Sequence, residues 1–148
     1  MRRPIGILAV VAAACLSASC DENLSTIAGP TPALTPTFSS IQRDIFASTD
    51  STGRLACSGC HTSVNRVPAG GLNLTGDLAY EQLVNVASAR KAGAIRVVPG
   101  DPDNSYIIQK IEGRSGIVGV RMPLTPPYLS DGQITIIRRW IETGAARN

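Results

Sequence analysis

Hydrophobic residues beyond the N-terminal run recur at helical spacing in four places. Ile41, Ile45 and Phe46 fall on one side of a segment from Ser39 to Ala47, which predicts a short first helix. Leu83, Val84 and Ala87 share a side between Leu78 and Ala87 and predict a second. Ile107, Ile108 and Ile111 predict a third, with Asp103 or Asn104 as its cap and Gly113 as its stop. The last pattern is the clearest. Ser130 and Gln133 have capping-box spacing, Ile134, Ile137 and Ile141 share a face, and Gly144 ends the run. No segment alternates in a way that predicts paired strands, so the fold class expected is all-α, short helices joined by Gly/Pro-rich loops.

The remaining chain divides around that domain. Arg2 and Arg3 precede a short apolar run from Ile5 to Ala14, then small residues up to Cys20. This is the layout of an exported leader, residues 1–19, too short for a stable membrane-spanning helix. Ser17-Ala18-Ser19-Cys20 resembles a lipoprotein cleavage site, which would make Cys20 the lipid anchor; Cys15, after three alanines, is a second candidate. Ordinary cleavage is the alternative, but it leaves a thiol without a role in an exported protein. Residues 20–37 contain Pro30, Pro32 and Pro36 among Thr, Ser and Ala, the composition of an extended tether. Residues 38–148 form the expected domain, with no internal repeat.

Charge narrows the partners. The chain has 14 Lys and Arg against 11 Asp and Glu, and two of the basic residues leave with the leader. With no basic block and no basic stripe interleaved with aromatics, nucleic acid is an unexpected partner. The domain is also short of large side chains, holding Phe38, Phe46, Tyr80, Tyr106, Tyr128 and Trp140 as its aromatics. A bound apolar group would supply the missing bulk.

The chemistry concentrates at Cys57-Ser58-Gly59-Cys60-His61. This is C-x-x-C-H, the attachment motif of c-type haem. Two thiols held close by a small spacer can each add across one haem vinyl group, and the next residue, His61, is placed as the proximal ligand. A thioredoxin-like C-x-x-C wants a βαβ setting that the pattern lacks. A structural zinc site wants four Cys or His ligands, and beyond the leader the chain offers Cys57, Cys60 and His61. Export agrees with haem c, which is attached outside the bacterial cytoplasm. Twin-arginine export through Arg2 and Arg3 is set aside, since attachment follows translocation of an unfolded chain.

His61 is the chain's one histidine, so a second histidine ligand from the same protomer is excluded. Met122 is the one methionine besides Met1. Its thioether suits haem iron, and it lies in Arg121-Met122-Pro123-Leu124, followed by Thr125-Pro126-Pro127, where prolines stiffen the backbone. A methionine can also simply fill a core gap. Lys91, Lys110 or an open position are the other choices for the sixth ligand. Asp101 and Asp103 flank Pro102 and are read as turn and cap residues rather than as an acid–base pair.

The order of these parts resembles class I cytochrome c, and more closely the small planctomycete-type cytochrome c domains of bacterial lipoproteins. The matching residues are Ile45-Phe46, Cys57 to His61, Gly71-Leu72-Asn73-Leu74, Tyr80 with Leu83 to Val86, Val98 to Tyr106, Arg121 to Leu124, Leu129-Ser130, and Ile137 to Ile141. They cover nearly all of residues 38–146. The resemblance implies a cytochrome c-like fold around one covalent haem c, thioethers at Cys57 and Cys60, axial His61 and Met122, and one-electron transfer. It also implies a proline carbonyl accepting the proximal imidazole proton, and Pro68 is the proline available. Ala47 to Ala56 is longer than the family's spacing and is expected to bulge as a surface loop.

The function expected is therefore that of a monohaem electron carrier on the periplasmic or cell-envelope side, held at a membrane if lipidated. It would exchange electrons with other extracytoplasmic redox proteins and require no small-molecule substrate. A haem enzyme or gas-binding protein with an open sixth position is the first alternative. A structural haem module of a larger redox complex is the second.

Overall fold

The computed structural model describes residues 34–148. The expected leader, Cys15, Cys20 and most of the tether lie outside these residues. Leu34, assigned by composition to the tether, is buried in the core. Its neighbour Thr35 receives its main-chain anchor from Ser40, whose Oγ accepts the Thr35 N–H at 3.0 Å.

Thr37 caps helix α1, Phe38–Ile41, by accepting from the Ser40 N–H. The helix widens into a π-helical stretch, Gln42–Phe46, in which the Ala47 N–H reaches back to the Gln42 carbonyl at 2.9 Å. Such widened turns recur at functional sites. Ile41, Ile45 and Phe46 are all buried, as their spacing predicts.

Helix α2, Leu78–Leu83, stops four residues earlier than the periodicity predicts. Val84 is already extended, and the following residues pair through isolated bridges, Val84 with Val97 and Ala87 with Ile95. β-branched Val84 and Val86 favour that extended state, and Asn85 tolerates the left-handed conformation, φ 59°, that the bend needs. Among the described residues pairing does not go beyond such single bridges.

Helix α3, Tyr106–Glu112, begins after Ser105 rather than after Asp103 or Asn104. Asp101 accepts from the Asn104 N–H at 3.1 Å and closes the turn ahead of the helix. Asp103 instead pairs with Arg114 and Arg138. Gly113 ends α3 in the left-handed conformation. Helix α4, Asp131–Glu142, carries the expected capping box: Ser130 Oγ accepts from the Gln133 N–H at 3.2 Å, and Gln133 Oε1 accepts from the Ser130 N–H at 3.0 Å.

One core joins these elements. Ile134, Ile136, Ile137, Trp140 and Ile141 of α4 meet Phe38, Ile41 and Ile45 of the first helix and Ile108 and Ile111 of α3. Phe38 packs between Tyr80 and Trp140, with ring centroids 5.1 and 5.6 Å away. The chain's end is tied to its first helix: the Asn148 side chain accepts the Phe38 N–H and its carbonyl the Ser39 N–H, both at 2.8 Å. No helix among the described residues is long and apolar enough to cross a membrane.

Ala47 to Ala56 differs from the surface bulge expected. Ser51, Thr52, Gly53 and Leu55 are exposed, but Arg54 is 1% exposed. Its guanidinium donates to the carbonyls of Ile45, Leu55 and Ser48, and its Nε pairs with Asp50 at 3.0 Å. The five-donor fork of arginine can satisfy all of these groups at once, so the segment folds inward around it. Gln133 of the α4 capping box also reaches Asp50, at 3.4 Å, docking the segment on the start of the last helix.

Candidate functional site

Cys57, His61 and Met122 line one cavity of about 440 Å³. Its wall is mainly apolar, built by Ile45, Phe46, Leu72, Leu83, Ile111 and Leu129 among others. The π-helical stretch, α2 through Leu83, α3 and α4 through Ile137 all contribute, so the four periodic segments position the cavity as well as the core.

The Cys57 end is shaped by a tight turn. Cys57–Gly59 forms one 3-10 turn, closed by the Cys60 and His61 N–H groups on the Cys57 carbonyl at 3.2 and 3.0 Å. Gly59 has open space where a Cβ would stand. Cys57 Sγ lies 3.6 Å from the Ile45 carbonyl and 3.9 Å from Arg54 Nη1. Burial pushes its pKa up, and the Arg54 charge works against that shift. Cys60 is exposed and does not form part of the cavity wall.

His61 is half-buried, with Nδ1 3.3 Å from the Leu72 carbonyl. A carbonyl can only accept, so Nδ1 carries the proton and Nε2 keeps its lone pair for a metal. Burial lowers the His61 pKa, the Leu72 and Ala69 carbonyls oppose this, and the charges of Arg96 and Lys110 lower it further. The net result favours the neutral imidazole, the form that can bind a metal. The acceptor is therefore Leu72 and not Pro68. The Pro68 carbonyl is used by the Gly71 N–H at 2.9 Å, closing the 3-10 turn Ala69–Gly71. That turn carries the chain around so that Leu72 returns toward the imidazole, and the Leu74 N–H bonds the His61 carbonyl at 2.8 Å.

Met122 is held by more than its prolines. Its N–H donates to the Lys110 carbonyl at 2.9 Å. Arg121 Nε donates to the Ile111 carbonyl at 2.7 Å, and its guanidinium stacks on Tyr128 at 4.3 Å. Tyr106 accepts the Val118 N–H on its hydroxyl at 2.9 Å. The Lys110 ammonium donates to the carbonyls of Val118 and Val120. Helix α3 thus fastens the methionine loop along its length. Lys91, the other lysine considered as a ligand, sits over the Tyr106 ring and reaches Gln109 at 3.4 Å.

The structure thus brings together three of the four residues read as the haem site, with Cys60 beside them in sequence and exposed. Leu72, Arg54 and Arg96 belong to the site and were missed from sequence. A main-chain acceptor such as Leu72 leaves no mark in residue identity. Arg96 did leave one: it is a charge inside the apolar run Ala94-Ile95-Arg96-Val97-Val98. Among the described residues no three His, Cys, Asp or Glu side chains gather into a metal-holding group.

Compared with family models, curated proteins and solved structures, the chain finds no match.

Proposed function

We propose that this protein is a c-type cytochrome of the monohaem class, carrying single electrons through a haem c ligated by His61 and Met122. The observation that carries the proposal is the convergence of Cys57, His61 and Met122, distant in sequence, on one apolar cavity. The donor set fits haem: a thiol for thioether formation, a neutral imidazole and a soft thioether sulfur. The cavity volume lies within the range of cofactor pockets.

Bound haem would supply a one-electron couple. The chain's own residues would do the rest. The Leu72 carbonyl orients the imidazole and makes it a stronger ligand. The hydrogen bonds from α3 fasten the Met122 loop beside the cavity, which would favour Met122 as a ligand over an open position. Met/His ligation would raise the reduction potential, and the apolar wall would limit the access of water to the metal. No second histidine exists to act as a distal base, which favours a carrier over a peroxidase-like enzyme.

The test is the absorption spectrum of the ferrous protein, matured with c-haem attachment machinery, before and after carbon monoxide. A c-type spectrum unaffected by the gas is expected. A spectrum that shifts on adding carbon monoxide would replace the carrier by a ligand-binding protein.

A further inference from the structure

A buried ion pair lies at the centre of the segment from Ala47 to Ala56, the stretch that is longer than the spacing of the family this chain resembles. Arg54 Nε and Asp50 Oδ2 stand 3.0 Å apart, with side chains 0% and 5% exposed. Every other ion pair between described residues includes a side chain at least 30% exposed. The pair is oriented. At its cationic end Arg54 Nη1 donates to the Ile45 carbonyl at 3.2 Å and lies 3.9 Å from Cys57 Sγ, and both Ile45 and Cys57 line the cavity. Its anionic end is held by other partners: Asp50 Oδ1 accepts from the Thr52 N–H and hydroxyl, and Oδ2 from Gln133 Nε2.

Neither Arg54 nor Asp50 is itself part of the wall, and of the two charges the guanidinium is the nearer to it. Its charge is felt at the sulfur: burial pushes the Cys57 thiol up, and Arg54 is the largest influence opposing that shift. The guanidinium is fixed by the carbonyls of Ile45, Leu55 and Ser48, so its charge keeps one place. Buried charges are poorly screened by solvent and salt. A neutral pair set this way acts as a dipole on whatever the cavity holds, with its positive end leading. With haem joined to Cys57, that end would stand beside the first thioether.

We infer that the Asp50–Arg54 pair tunes the reduction potential of the haem from behind the Cys57 wall, Arg54 raising it and Asp50 holding that rise in check. This rests on the haem reading above. Both are positioning residues, acting through Cys57 without touching the iron. A positive charge near the haem favours the reduced state, which carries one electron more, and a negative charge opposes it. Two charges of opposite sign therefore give variants of opposite effect. Loss of packing alone has no such sign.

The experiment is the reduction potential of the haem-loaded full chain at pH 7.5, with denaturant unfolding of the same samples. The chains are the unaltered one, Arg54→Gln, Asp50→Asn, these two combined, Arg54→Lys, and the exposed control Arg139→Gln. Arg54→Gln should weaken reduction about threefold, about 30 mV for a one-electron couple. Asp50→Asn should strengthen it by a similar factor while lowering stability. The combined variant should return close to the unaltered potential. Arg54→Lys keeps the charge without the fork, so it should retain more of the potential than Arg54→Gln, and Arg139→Gln should leave it unchanged. A merely structural pair would lower stability and leave the potential alone, or move it the same way in both single variants, and either result overturns the inference. So does a fall in Arg54→Lys as deep as in Arg54→Gln. If Arg54→Gln does not fold, Asp50→Asn decides alone, an unchanged or lower potential going against the pair. Absence of any c-type spectrum would instead strike the haem reading beneath it.

Discussion

Asp50 shows how much one residue can carry in a segment that reads as polar loop. Burial works to raise its pKa, but hydrogen bonds from Thr52 and Gln133 and the charge of Arg54 outweigh it, bringing the pKa down to about 2. An unfolded aspartate titrates near ~3.9, so this carboxylate contributes about 2 kcal/mol of stability. Because the folded value is the lower one, that contribution is complete above about pH 5 and is lost as pH falls from about 4 to 2. Denaturant unfolding measured across this window should show the loss, and Asp50→Asn should reduce the pH dependence, leaving the part carried by the other depressed carboxylates, Asp101 and Asp103. The same variant leaves Arg54 buried without its countercharge and should cost about 2 kcal/mol or more at neutral pH. Met122 carries the corresponding prediction for the metal. Met122→Ala should let the ferrous protein bind carbon monoxide and should lower its reduction potential; an unchanged potential would remove Met122 from the ligand set. That His61 and Met122 share one cavity was legible, because each is the one residue of its type in the expected domain and was read as belonging to one site. Asp50 and Arg54 were not, since a buried arginine is recognised by the carbonyls around it, and these are invisible in the residue string.

Elements were legible where a cap or a stop is written in side chains. The α4 capping box at Ser130 and Gln133 stands where its spacing puts it, and Gly113 terminates α3. Ser130→Ala should cost about 1 kcal/mol, read as a lower denaturation midpoint with an unchanged slope. The α2 terminus was misread because apolar periodicity continues through Val84 and Ala87, while the backbone there is drawn into bridges with Val97 and Ile95. That partner segment is distant in sequence, and local spacing has no access to it. Gly113 links an element boundary to the site. Its φ is +71°, and a Cβ there would stand 2.9 Å from the Arg121 side chain, adjacent to Met122. Gly113→Ala should therefore destabilise the fold by about 1 kcal/mol or more. It should also loosen the methionine loop, seen in the haem-loaded protein as carbon monoxide binding that the proposed His61/Met122 ligation would otherwise block.

At the scale of the whole molecule, the first and last helices close one core, and α3 with its trailing loop closes one cavity against it. The shortage of aromatic bulk noted in the sequence is answered in two ways. The described chain packs isoleucine from three helices around Trp140, and it leaves a large apolar space lined by Cys57, His61 and Met122. If haem fills that space, the loaded protein should withstand substantially more denaturant than the same chain with Cys57 and Cys60 both replaced by Ala. Covalent attachment through these two thiols is the central claim, and it is tested most directly by the intact mass and visible spectrum of the purified protein after full denaturation. The account predicts a chain heavier by one haem, with the chromophore still attached in denaturant and lost in the doubly substituted chain. A chain of unmodified mass, or a chromophore that denaturant releases, would contradict it.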